Sequence, residues 1–153
     1  MLEKIIIEWD PPFVLEVEDG TVKRGYFGNG EDEIILTDFS ERLRRELRKY
    51  FRGVPTDFGW VNVEYPSKSS ERILKEVRKI PFGKTVTYGD LAKRLRTSPR
   101  AVGVALRMNR VPVIIPCHRV VAKGGLGGYS YGVEIKRKLL GLESLCCCTF
   151  KCE

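Results

Sequence analysis

The chain has no glutamine, a single histidine (His118) and no cysteine before Cys117. No apolar stretch approaches the roughly 18 residues that a membrane-spanning helix needs, so no contact with a membrane is expected. A secretory signal needs a basic start and a small-residue cleavage site, whereas the first ten residues carry Glu3, Glu8 and Asp10 around a short apolar run. The expected location is therefore a reducing cytoplasm. Five cysteines, four of them crowded at Cys146, Cys147, Cys148 and Cys152, form an odd set that argues against a disulfide framework. Consecutive cysteines also make poor chelate geometry, and no histidine assists them, so an exposed, oxidation-prone tail is expected rather than a metal site. With three asparagines and 31% charged residues, the composition leans toward that of heat-adapted proteins.

What is present is unevenly spread. Residues 1–63 hold 9 Lys/Arg against 13 Asp/Glu, and residues 64–153 hold 18 against 7. An acidic first part and a basic second part suggest that only the second faces a polyanion. The hydrophobic fraction of 42% is enough for a packed core.

The periodicity predicts an α+β chain. A small N-terminal antiparallel sheet with one helix occupies residues 1–63. A mostly helical domain containing a helix-turn-helix occupies residues 64–153. Strands are expected over Ile5–Trp9, Phe13–Val17 and Val22–Phe27, with Asp19-Gly20 turning the second into the third, and a short strand over Ile34–Leu36. Asp38, with Glu41 three residues on, suggests a capping box. Leu43, Leu47, Tyr50 and Phe51 then share one helical face that Gly53 ends. Ile73, Leu74, Val77 and Ile80 mark a helix over Ser70–Lys79. Thr87 and Ser98-Pro99 each start a further helix. A last helix, about Val133–Leu142, packs through Ile135, Leu139, Leu140 and Leu142.

Two short helices joined by about three residues, Tyr88–Leu95 and Pro99–Met108, have the outline of a helix-turn-helix. Residues 84–110 contain seven basic residues and one acid, Asp90, which favours a nucleic-acid surface. Ala101, Gly103 and Ala105 let the second helix approach another backbone closely.

Cys117 lies between the apolar run Val113-Ile114-Ile115 and a glycine-rich loop, and is followed by the only histidine. A neighbouring base promotes ionisation of a thiol and makes it a nucleophile. In an extended strand, adjacent side chains point to opposite faces, so a bridging water is the expected route from thiol to imidazole. The imidazole needs an acceptor to fix its tautomer, and Glu143 is the best candidate in a stretch poor in acids. On residues alone three readings stay open: a cysteine nucleophile acting on DNA, a DNA-binding regulator without chemistry, and a cysteine hydrolase. Nothing beyond generic glycines marks the oxyanion hole that the hydrolase requires.

The string Ile115-Pro116-Cys117-His118-Arg119-Val120 resembles the active-site motif of the O6-alkylguanine-DNA alkyltransferases, the methylated-DNA–protein-cysteine methyltransferases. Further blocks resemble that family in order and spacing. They are Ile80-Pro81-Phe82-Gly83 with Thr87-Tyr88, Pro99-Arg100-Ala101-Val102-Gly103, Asn109, Leu126-Gly127-Gly128-Tyr129-Ser130, and Lys136…Leu139-Leu140…Glu143. The resemblance covers residues 70–143.

The resemblance implies a single-turnover repair protein without cofactor. It would move the alkyl group of O6-alkylguanine, with O4-alkylthymine as a second candidate, irreversibly onto Cys117 after base flipping. His118 would deprotonate the thiol through water, Glu143 would orient His118, and Asn109 would hold the site together. Tyr88 would protonate the departing guanine at N3. Arg100 would fill the gap left in the base stack. Ser98, Ala101, Arg107 and Arg119 complete the DNA surface implied, and Leu106, Val120, Tyr129, Ser130 and Tyr131 the pocket. Tyr131 stands where some relatives carry a small residue; facing the pocket, it would hinder bulky adducts. The partner implied is duplex DNA met through its minor groove by a monomer. Some relatives bind zinc through N-terminal Cys and His, which are missing here, so no metal is expected.

Overall fold

A computed structural model of the chain describes residues 1–150, with residues 145–150 described through their backbone alone. The order is β1 (Leu2–Ile7), β2 (Phe13–Glu18), β3 (Thr21–Phe27), α1 (Asp38–Tyr50), β4 (Asn62–Val63), α2 (Lys68–Val77), β5 (Val86–Thr87), α3 (Tyr88–Leu95), α4 (Pro99–Met108), β6 (Val120–Val121) and α5 (Val133–Phe150). The architecture is α+β, as the periodicity predicts.

Strands β1, β2 and β3 form an antiparallel meander, and β4 adds to β3 in parallel to complete the order β1-β2-β3-β4. Asp19 and Gly20 both take positive φ (51° and 75°) to turn β2 into β3, which suits the twist of the flanking strands. Ile5 and Ile7 of β1 and Phe13, Leu15 and Val17 of β2 are buried in the same apolar cluster as the inward residues of α1. That helix turns Leu43, Leu47 and Tyr50 inward at helical spacing.

The strand expected over Ile34–Leu36 reduces to one bridge between Ile34 and Lys4. The cause is Glu3, whose buried carboxylate accepts from the N–H groups of Leu36 (2.7 Å) and Thr37 (3.0 Å), removing them from any ladder. The cap of α1 is accordingly Thr37 rather than Asp38; its hydroxyl accepts from Ser40 N–H. Helix α2 begins at Lys68 with Ser67 as its cap, earlier than the apolar stripe indicates.

The caps at Thr87 and Ser98 form as predicted, accepting from the N–H groups of Asp90 and Ala101 at 3.1 Å each. Arg96 joins α3 to α4 in the left-handed region (φ 55°, ψ 49°). Two-residue strands β5 and β6 pair in parallel, tying the start of α3 to the chain just beyond Cys117. One buried apolar cluster draws on the sheet, α1, α2, α3, α4 and α5 alike. The tail expectation for Cys146, Cys147, Cys148 and Cys152 concerns groups outside the described residues. Among those described, no helix is long and apolar enough to cross a membrane.

Candidate active site

The backbone around Cys117 is tightly wound. Asn109 ends α4, and Val111 to Ile115 run fully buried toward the cysteine. Val113 takes φ 73°, a costly conformation for a β-branched residue, worth about 1–3 kcal/mol of strain. Asn109 clamps this loop. Its side-chain oxygen accepts from Val111 N–H (2.9 Å), and its amide donates to Ile115 O and to Cys117 Sγ, each at 3.1 Å. Cys117–Arg119 then form a single 3-10 turn, not the extended segment assumed from sequence.

The turn sends His118 inward, away from solvent. His118 is 0% exposed and Glu143 1%. The imidazole Nε2 lies 2.6 Å from Glu143 Oε2, so the predicted His118–Glu143 pairing is present. Glu143 accepts far more than that one bond. Tyr50 donates its hydroxyl to Oε2 at 2.6 Å, Gly83 N–H donates to Oε1 at 3.0 Å, and Arg119 donates to both oxygens at 2.9 and 3.1 Å. Burial alone would raise the Glu143 pKa, but the bonds from His118 and Arg119 outweigh it and hold the carboxyl at about 2. Burial pushes the His118 pKa down against the pull of Glu143, leaving the imidazole neutral. Its proton then sits on Nε2, facing the carboxylate. The buried Nδ1 is left as a bare acceptor with no partner among the described residues.

Burial also pushes the Cys117 thiol up to about 11, against the opposing pull of the Asn109 amide and the Lys136 ammonium. At neutral pH the sulfur therefore rests protonated and needs a base when it reacts. Lys136 is itself fully buried and bridges β6 and the glycine-rich loop, donating to Val120 O (2.8 Å) and Gly128 O (3.0 Å).

A cavity of about 540 Å³ opens onto the sulfur, lined by Tyr88, Arg100, Leu106, Arg107, Cys117, Tyr129 and Ser130 among others. That volume is ordinary for a small-molecule site. Gly127, at φ 75°, lets Tyr88 pack closely; a Cβ there would stand 2.9 Å from Tyr88 Cε2. The Tyr129 hydroxyl is buried without a hydrogen-bond partner among the described residues. Arg100 and Arg107 line the cavity and are exposed, and Lys84, Lys93, Arg94, Arg96 and Arg110, on α3 and the segments flanking α3 and α4, are exposed as well.

Several expected residues thus converge: Asn109 with Cys117 and His118 with Glu143 as two buried hydrogen-bonded pairs meeting at one turn, and Tyr88, Arg100, Arg107, Leu106, Tyr129 and Ser130 around one cavity. Ser98 is exposed at the start of α4 as its cap, and Ala101 lies on the α4 face toward α2, in a neighbouring groove.

Three expectations need correction. Arg119 cannot be a DNA-surface residue, because it is 6% exposed and spends its guanidinium on Glu143 and Ile80 O. Val120 is fully buried outside the cavity lining and contributes its carbonyl to Lys136. Tyr131 does not line the cavity either: its hydroxyl donates to Asn109 O at 2.7 Å, and its ring meets Phe27 and Tyr129. The steric argument against bulky adducts through Tyr131 therefore lapses.

Sequence reasoning missed Tyr50, Lys136 and the inward role of Arg119. A signal existed for the second. Among the described side chains of α5 the buried ones are Lys136, Leu139 and Glu143, at helical spacing, so two charged residues share the inward stripe with one of the leucines expected to pack there.

Comparison with known proteins gives consistent likenesses. Residues 68–145 match the family described as 6-O-methylguanine DNA methyltransferase, DNA binding domain. A methylated-DNA–protein-cysteine methyltransferase of Methanopyrus kandleri is 54% identical over 102 residues, covering 66% of this chain and 78% of the relative. One from Metallosphaera sedula is 50% identical over 114 residues, covering 74% and 73%. Among solved structures, the Mycobacterium tuberculosis OGT in complex with DNA superposes with TM-score 0.77 at 30% identity, covering 93% of each chain. The O6-methylguanine-DNA methyltransferase of Pyrococcus kodakaraensis superposes with TM-score 0.73 at 26% identity, covering 94% of this chain and 99% of the other.

Proposed function

Since the chain belongs to the 6-O-methylguanine DNA methyltransferase family, we propose that it repairs duplex DNA by transferring the alkyl group of O6-alkylguanine to its own Cys117, once per molecule. The observation that carries this reading is the sulfur itself. It lines a cavity of about 540 Å³, and the next residue in the chain presents a neutral imidazole anchored on Glu143, its Nδ1 without a partner among the described residues.

The exposed cations of α3, α4 and their flanks give this face its attraction for phosphates, and as a monomer the protein docks α4 in the minor groove, where little sequence code is read. The alkylated nucleotide then leaves the stack for the cavity, at an unpairing cost of a few kcal/mol that a weakened alkylated pair reduces. Arg100, exposed beside the cavity mouth, fills the vacated position.

In the transfer step the Cys117 S–H proton passes through one water to His118 Nδ1, and the imidazolium formed is stabilised by Glu143. The sulfur attacks the alkyl carbon, the carbon–O6 bond breaks, and its electron pair stays on guanine. Tyr88 supplies a proton at guanine N3, and the proton held by His118 restores the phenol through solvent. Atoms balance: the thiol hydrogen ends on guanine and the alkyl carbon on sulfur. A thioether offers no good leaving group, so the protein is spent. The same displacement applies to O4-alkylthymine. A reducing cytoplasm suits a protein whose reactive group must remain a thiol.

The test is to mix the protein with duplex DNA bearing labelled O6-methylguanine. One label per chain is expected, lost in Cys117→Ala while DNA binding persists. Repeated turnover, or label retained by the alanine variant, would refute the reading. A duplex bearing labelled O4-methylthymine tests the second substrate in the same way.

A further inference from the structure

Tyr50 belongs to α1, far in sequence from the cysteine and outside the stretch matched by the family's DNA-binding domain. Yet it is 0% exposed, its hydroxyl donates to Glu143 Oε2 at 2.6 Å, and the same oxygen stands 3.3 Å from His118 Nε2. The Glu143 carboxylate therefore meets four donor residues from three places: Tyr50 on α1, Gly83 N–H before β5, and His118 and Arg119 on the cysteine turn. Burial and the adjoining carboxylate both raise the Tyr50 pKa well above its ordinary value, so the phenol stays protonated and acts on Glu143 only as a donor.

We propose that Tyr50 is a positioning residue for alkyl transfer: its hydroxyl disperses the charge of Glu143, and so sets the basicity of His118 and the tautomer that leaves Nδ1 to receive the thiol proton. The inference rests on the alkyl-transfer reading above and names a part of that site supplied by the N-terminal helix. The physical reason is competition for one oxygen. Each donor aimed at Oε2 lessens the negative charge left for the imidazole, and hence the gain when the imidazole becomes positive. The other charges near His118 are Arg119 and Lys136, both of which disfavour the imidazolium, and Glu143, which favours it. Tyr50 thus adds to the side that keeps His118 neutral.

Because His118 is the only histidine, protein carrying 15N-labelled histidine yields one imidazole signal set, without assignment. In the parent protein Nε2 should appear protonated and Nδ1 bare, with no imidazolium at neutral pH. Tyr50→Phe keeps the ring and removes the hydroxyl. It should raise the His118 pKa by about one pH unit and move the acid limb of the single-turnover transfer rate upward by the same amount. The rate above that limb should stay within a few-fold of the parent. Site-specific 3-fluorotyrosine at position 50, which retains the hydroxyl as a stronger donor, should shift the pKa the opposite way, and it serves if the phenylalanine variant fails to fold.

A proton on Nδ1 in the parent, or a titration unmoved by either change, would overturn the proposal, including a case in which Tyr50→Phe only lowers thermal stability. Failure of the parent protein to accept label from DNA is a separate result. It would sink the repair reading and leave the histidine titration standing.

Discussion

Replacing Glu143 by glutamine probes the network at its most connected atom pair. Glutamine keeps the shape but removes the charge and aims an amide N–H₂ at groups that are all donors. The Arg119 guanidinium, 6% exposed, is then left buried without its counter-charge. Breaking one partner out of a buried pair costs about 3–5 kcal/mol. A second route gives a similar figure. The Glu143 pKa falls from an ordinary 4.5 to about 2 on folding, which is equivalent to about 3 kcal/mol of stability. A carboxylate depressed in this way stabilises the fold fully above its unfolded pKa. That contribution is lost as the pH falls from about 4.5 through about 2.

For a chain of this length, each kcal/mol moves the melting temperature by about 2–4 °C, so Glu143→Gln should melt roughly 10 °C below the parent at pH 7. Calorimetric scans from pH 7 down to pH 2 should show the gap closing as the parent's own carboxyl protonates. Removing both charges, with Arg119→Met added to Glu143→Gln, should recover much of the loss. A variant that melts within about 2 °C of the parent at pH 7, or a gap that persists unchanged to pH 2, would refute the reasoning.

Asn109→Ala removes the amide that supports the sulfur and loosens the strained loop at Val113; carboxymethylation of Cys117 at pH 8 should slow about tenfold, read by peptide mass because the tail cysteines also react, and an unchanged rate would exclude the amide from thiol activation. Gly127→Ala places a Cβ 2.9 Å from Tyr88 at φ 75°, so it should cost about 1–2 kcal/mol and slow alkyl transfer without weakening DNA affinity; transfer at the parental rate would show that Tyr88 does not depend on that contact. Arg107→Ala should lower the slope of log affinity against log salt by about one, whereas Arg119→Met should leave the slope unchanged and lower the melting temperature; fluorescence anisotropy on a short duplex distinguishes them, and a reduced slope for Arg119→Met would reverse its placement in the interior.

The local elements were legible because their signals are local. Thr87 and Ser98 cap helices through hydroxyls three residues from the N–H groups they serve, and Asp19-Gly20 turns a hairpin with its own φ angles. His118 was legible as the only histidine, Cys117 as the one cysteine apart from the tail group and next to that histidine, and Glu143 because acids are sparse in the second part of the chain. Where the reading slipped, a distant group had intervened. Glu3 diverts the backbone of Leu36 and Thr37 from a strand, and no window around residue 36 contains Glu3. Arg119 reads as a surface cation beside a basic helix pair, until the 3-10 turn points it at Glu143.

By itself the sequence determined the caps of α3 and α4, the hairpin turn and the concentration of basic residues along α3 and α4, which depend on residue type and short spacing, and it singled out Cys117, His118 and Glu143 as candidates. Only the tertiary structure decided which oxygen Tyr50 reaches across 93 positions of chain, that Lys136 is buried against the carbonyls of Val120 and Gly128, and that Tyr131 turns out of the cavity. The reason is one of range. A cap or a turn is an equilibrium among neighbours along the chain, whereas a buried polar contact forms only where folding has removed water from both partners and brought them into register. That depends on the packing of every element between them.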